Sequence, residues 1–236
     1  RRVLFRSILH LPTNTDVLFW STSQRDAAFR SMDRMPILVK SRIIPTSKNI
    51  HHLPMGATLD IGIDVAAYME DQRTAGLIIL QDGKIRLEKY GLNFGSDGRW
   101  TSFSVAKSIT STLVGVAIKD GFIKNVNDMV SEYIPDLKGS VYDDVTIKQL
   151  LTMTSGVKWN EDYEDLDSDV ASSPIQILDL IQYMGNLKKL HPPGTHFNYN
   201  TGETNLAGAV LRSAIGNNLS TYLHKKRSEE HTSELQ

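Results

Sequence analysis

The chain has 236 residues, with 26 Lys and Arg against 27 Asp and Glu, 40% hydrophobic residues and no cysteine. A net charge of -1 lacks the broad positive field by which nucleic-acid binders hold phosphates, so no nucleic-acid partner is expected. The lack of cysteine excludes disulfides, thiolate metal sites and a cysteine nucleophile, and no apolar run approaches the roughly 18 residues of a membrane span.

The two ends read as foreign. The tail Arg227 to Gln236 is RSEEHTSELQ, and a DNA encoding it resembles a common short-read sequencing adapter. The reverse complement of that DNA translates as LEFRRVLFRS, whose last seven residues are Arg1 to Ser7. Residues 1–7 and 227–236 are therefore set aside as adapter-derived, and Ile8 to Lys226 is taken as the authentic part, cut on both sides. On that reading the missing start codon says nothing about export, and localisation and oligomeric state are open.

Residues 8–55 mix apolar patches with Pro12, Pro36, Pro45 and Pro54 and hold no sustained period, which predicts an irregular extension. Thr74–Leu80 (TAGLIIL) and Lys84–Tyr90 (KIRLEKY) are strand-like runs around Gln81-Asp82-Gly83, a β-hairpin pattern. Residues 56–100 are read as the N-terminal part of an α/β sheet domain.

A helical domain is expected over 101–226. From Ser104, apolar positions Val105, Ala106, Ile109, Leu113, Val114, Ala117 and Ile118 cover most of a helix circumference, predicting a buried central helix stopped by Gly121. Thr146 opens the next helix, with Gly156 behind it; Ser173-Pro174 opens another in N-cap and N1 positions, with Gly185 behind it; Glu203–Ala214 forms a third, stopped by Gly216. A last helix starts near Leu219. A lone hairpin is marginal in water and no later strand-like run follows, so the rest of the sheet is expected to be missing.

Two S-x-x-K tetrads occur, Ser104–Lys107 and Ser155–Lys158. The second straddles a predicted glycine stop, which gives its side chains no fixed mutual geometry. The first lies in the opening turn of a helix, with hydroxyl and amine on one face. A serine hydroxyl needs a neighbouring base, and a lysine serves only where desolvation or a second cation favours its neutral form. The helix N-terminus favours an anion at the serine oxygen and supplies one oxyanion donor. The bland alternative is that Ser104 merely caps the helix while Lys107 faces solvent.

Three further stretches weigh against that alternative. DGKIRLEKYG, RWTSFSVAKSITSTLVG, GSVYDDVTIKQLLTMTSGVKWNEDY and PGTHFNYNTGETNLAG together resemble the serine β-lactamase and penicillin-binding protein superfamily. The likeness is to its class C-like branch, with the family VIII esterases and 6-aminohexanoate-dimer hydrolases, over about residues 60 to 226. The resemblance implies a β-lactamase/transpeptidase-like fold, α/β plus all-α, here incomplete because the C-terminal strands of the antiparallel sheet are missing. It also implies an acyl-enzyme hydrolase of small-molecule amides or esters that needs no cofactor. Carried over, Ser104 is the nucleophile, Lys107 its base partner, Tyr199 the proton donor to the leaving group, and Tyr163 a substrate contact. The third position of Tyr-x-Asn is Thr201, which argues against an efficient β-lactamase. The family's third motif, Lys-Thr-Gly or His-x-Gly, has no match, and the chain itself is expected to be inactive. A penicillin-recognising sensor, a D-amino-acid peptidase and a β-lactamase are the alternatives.

No metal is expected. An EF-hand loop starting at Asp165 would need Gly at Val170 and Glu at Gln176, so the run Glu161, Asp162, Glu164, Asp165, Asp167, Asp169 reads as a solvated loop. His51, His52, His191 and His196 lack the spacing of zinc ligands.

Overall fold

The computed structural model describes residues 11–14, 17–35, 44 and 52–229, with side chains through Lys226. Arg1–Ser7 and most of the tail from Arg227 lie outside the described residues. The chain divides into two compact units, one ending at Thr101 and resuming at His224, the other Ser102–Leu223.

In the first unit, Ser21 and Gln24 form a reciprocal capping box on helix α1, Thr22–Ala28. The sequence predicts no regular element here, because seven residues are too few to display a period. Trp20, Ala28 and Met35 form a small buried cluster around it. Asp64 caps α2, Val65–Asp71, accepting from Ala66 and Ala67 N–H at 2.9 and 3.1 Å. Strands β1, Gly76–Gln81, and β2, Lys84–Tyr90, pair antiparallel as predicted. Asp82 and Gly83, at φ 51° and 68°, make a two-residue turn whose twist suits the hairpin. Met55 pairs parallel with Ile85, and Gly56 and Leu59 donate to Ile85 and Arg86 carbonyls, so β2 is bonded on both sides. β1 and β2 form the only sheet among the described residues.

The second unit is helical: α3 Val105–Lys119, α4 Val130–Tyr133, α5 Ile147–Leu151, α6 Asp169–Ser172, α7 Ile177–Gly185 and α8 Thr201–Ile215, with the start of α9, Leu219–Glu229. Helix α8 packs on α3, α5 and α7 around a core of Leu113, Val114, Tyr142, Ile147, Leu150, Met184, Leu206 and Val210. Gly202 permits the α7 approach: a Cβ there would lie 2.5 Å from Met184 Sδ.

Helix α3 ends as read from sequence. Gly121 has φ 80°, and the Gly121 and Phe122 N–H groups bond Ile118 and Ala117 carbonyls at 3.0 and 2.9 Å, a Schellman closure. It is buried only over its second half, however; Val105 is 65% and Ile109 48% exposed, because the described part of this unit packs only on the side facing α8.

Two helix boundaries also differ. Helix α5 stops at Leu151, and Met153 makes the left-handed turn at φ 52°, three residues before the glycine stop that the sequence predicts at Gly156. Helix α7 begins after Gln176, since Ser173 instead closes the short helix α6. Gly156 keeps a left-handed φ of 76° for another reason: the His191 carbonyl would lie 2.0 Å from a Cβ.

Candidate active site

The nucleophile candidate enters its helix through a tight turn. Phe103 is left-handed at φ 42°, and Val105, Ala106 and Lys107 N–H donate to carbonyls three residues back at 3.0, 3.1 and 3.0 Å. Ser104 occupies the N-cap position, but with φ -67° and ψ -9° it is helical rather than extended, and its side chain makes no capping bond. The hydroxyl is therefore left for other partners. Lys107 Nζ donates to Ser104 Oγ at 3.1 Å, and the Tyr199 hydroxyl donates to the same oxygen at 2.9 Å. The Lys107 Nζ also stands 5.1 Å from the centre of the Tyr199 ring.

Three of the four residues singled out in the sequence thus converge on one oxygen. Either neighbour must first surrender its proton to act as base, since both donate to Ser104 Oγ. The shielding expected around the group is incomplete in the described residues: Lys107 is half-buried, Ser104 is exposed and Tyr199 is 36% exposed.

Tyr163 is engaged elsewhere. Its hydroxyl donates to Glu161 Oε1 at 2.6 Å, and burial, then this bond to a carboxylate, raise its pKa above the usual phenol value. Glu161 is the residue that sequence reasoning missed. It accepts from Thr201 N–H at 2.9 Å, from the Thr201 hydroxyl, from the Trp159 indole and from Tyr163. Burial pushes its carboxyl up, but these donors outweigh burial and hold it below the ordinary value. The carboxylate therefore sits on the first turn of α8, where the helix dipole also favours it. It belongs to the acidic run read as a solvated loop, and only its being followed two residues later by an aromatic set it apart.

The second tetrad does not assemble. Ser155 is buried and donates to Glu203, whereas Lys158 is exposed. Among the described residues, no group of three or more His, Asp or Glu is placed to hold a metal ion, and no helix is long and apolar enough to cross a membrane.

Comparison with known proteins bears on the family and the fold. A 6-aminohexanoate-dimer hydrolase of Paenarthrobacter ureafaciens is 36% identical over 107 residues, 45% of this chain and 27% of that protein. A Bacillus anthracis structure assigned as a 6-aminohexanoate-dimer hydrolase superposes with a TM-score of 0.72 at 18% identity, over 88% of this chain and 59% of that one. A class C β-lactamase solved with cefoxitin gives a TM-score of 0.50 at 23% identity over 64% of this chain and 43% of that one. The chain thus spans between about a quarter and three fifths of the length of these relatives, and it has their β-lactamase/transpeptidase-like fold in incomplete form. With residues 64–227 matching the β-lactamase family over more than half its length, the chain belongs to that family.

Proposed function

We propose that the protein is a serine hydrolase that cleaves amide or ester bonds through an acyl-enzyme. The observation that carries this reading is the double hydrogen bond at Ser104 Oγ, from Lys107 at 3.1 Å and Tyr199 at 2.9 Å. Ser104 Oγ attacks the substrate carbonyl carbon as Lys107, in its neutral form, takes the hydroxyl proton. The carbon–nitrogen or carbon–oxygen bond then breaks, Tyr199 protonates the departing amine or alcohol, and the proton held by Lys107 passes to Tyr199 so that both start the second half-reaction as they began the first. Water attacks the acyl-enzyme in the second half-reaction and regenerates the serine. This chemistry calls for no cofactor.

A short linear amide of the 6-aminohexanoate type is the favoured substrate, supported by the 36% identical relative and by the Tyr163–Glu161–Thr201 chain, which ends two residues after Tyr199. In this reading Tyr163 contacts the substrate amide. Residues 56–100 are the N-terminal part of an α/β sheet domain and 101–226 a helical domain that carries the nucleophile helix, residues 1–7 and 227–236 are adapter-derived, and the third motif has no match in the chain.

The test uses the full-length gene product with p-nitrophenyl butyrate and with the linear 6-aminohexanoate dimer. Sustained turnover of both that vanishes in Ser104→Ala is the expected result. A burst of about one equivalent with no steady state would make the protein a sensor, and turnover of the ester alone would make it an esterase.

A further inference from the structure

The first turn of α8 contains a carboxyl that the acyl-transfer chemistry leaves unused. Glu203 is 1% exposed, and its Oε1 accepts from the Tyr142 hydroxyl at 3.3 Å and from the Ser155 hydroxyl. Both partners are buried. Ser155 Oγ itself accepts from Val157 N–H at 3.0 Å, so its proton is directed at the carboxyl.

The loop fixed in this way, 153–157, is bonded along its length to the segment that leads into Tyr199. Leu190 and His191 N–H donate to the Gly156 carbonyl at 2.8 and 3.1 Å, Gly194 N–H to Thr154 at 2.6 Å, and Asn198 N–H to Met153 at 3.0 Å. Beyond Tyr199, Asn200 N–H meets Met153 Sδ at 3.4 Å, and Asn200 Oδ1 accepts from Glu203 N–H at 3.0 Å. Tyr199 therefore hangs between two anchored neighbours, and the Glu203 side chain ties together the pieces on which both anchors stand.

We propose that Glu203 is a positioning residue, which locks the Ser155 loop to the N-terminus of α8 and thereby sets where the Tyr199 hydroxyl stands relative to Ser104. The inference rests on the reading of Tyr199 as proton donor. An apolar side chain at 203 would leave two buried hydroxyls without an acceptor, and the loop would shift to satisfy them. A displacement of about 1 Å at a reacting group is enough for a loss on the order of a hundredfold. Glutamine, by contrast, offers the same acceptor oxygen. Burial pushes the Glu203 carboxyl up to about 7, with Tyr142 as the titratable group facing it and Ser155 as the polar one, so a neutral side chain already suits the site.

The experiment measures p-nitrophenyl butyrate hydrolysis in the full-length protein, with fluorophosphonate labelling of Ser104 as a second readout. Glu203→Gln is expected to keep kcat within about threefold, and Glu203→Leu to lower kcat on the order of a hundredfold with little change in KM. In a Tyr199→Phe background Glu203→Leu should cause no further loss. Ser155→Ala lowers kcat in the same way by a smaller factor, and replaces Glu203→Leu if that variant does not fold. Wild-type kcat in Glu203→Leu and Ser155→Ala, or losses that multiply undiminished with Tyr199→Phe, would overturn the proposal as a purely structural effect. Hydrolysis that survives Ser104→Ala would instead refute the acyl-enzyme reading and take this inference down with it.

Discussion

At Ser104 the backbone and the side chain are used for different things. A capping serine would be extended and would turn its hydroxyl to an amide two or three residues on; this one is helical, and its hydroxyl meets an amine and a phenol. Tyr199→Phe removes one donor without removing the ring that faces Lys107. Steady-state kinetics of that variant should show kcat lower by roughly 10²–10⁴, the usual contribution of a general acid, and Lys107→Ala should be at least as impaired. Ser104, Lys107 and Tyr199 were legible because each falls inside a short pattern of fixed spacing. Glu161 and Glu203 were not, since their roles depend on partners 40 and 48 positions away, Thr201 and Ser155, that no local spacing announces.

At the scale of elements, turn chemistry and caps were the readable features. The Asp82-Gly83 hairpin, the Gly121 stop, the Thr146 cap and the Gly216 stop all follow from residues whose backbone preferences are local. The end of α5 is not legible from Gly156, because the glycine there answers to a tertiary neighbour, the His191 carbonyl, rather than to its own helix. Gly156→Ala would combine a strained φ with a clash against the His191 carbonyl, and urea titration should find the protein destabilised by about 2 kcal/mol or more.

The two carboxyls around α8 also predict opposite pH effects. Glu161 is held below its ordinary value, so the stability it contributes is present above pH 4.5 and is lost as pH falls through its folded-state value. Glu203 is raised from 4.5 to about 7, so the neutral form is the stabilised one. Its contribution is complete below pH 4.5, drains away between 4.5 and 7, and amounts to about 3 kcal/mol at most. Denaturation measured across that window should show a decline in the wild type that is absent in Glu203→Gln.

For the whole molecule, the fold class could be anticipated from four ordered stretches, but the packing could not. The circumference of α3 reads as buried on all sides, yet Val105 and Ile109 are exposed in the described residues. Periodicity reports which faces are apolar, not which neighbours are present to cover them. If the strand with the second oxyanion donor lies beyond these residues, as the sequence predicts, the 236-residue chain should hydrolyse p-nitrophenyl butyrate on the order of 10²–10³ times more slowly than the full-length protein. Equal rates would remove that strand from the mechanism. The enclosure of Glu203 has a calorimetric side as well. Near pH 6 its carboxyl keeps a hydrogen ion that the unfolded chain releases. Melting then delivers that ion to the buffer, and the measured heat should differ between phosphate and an amine buffer by close to the difference in their heats of ionisation.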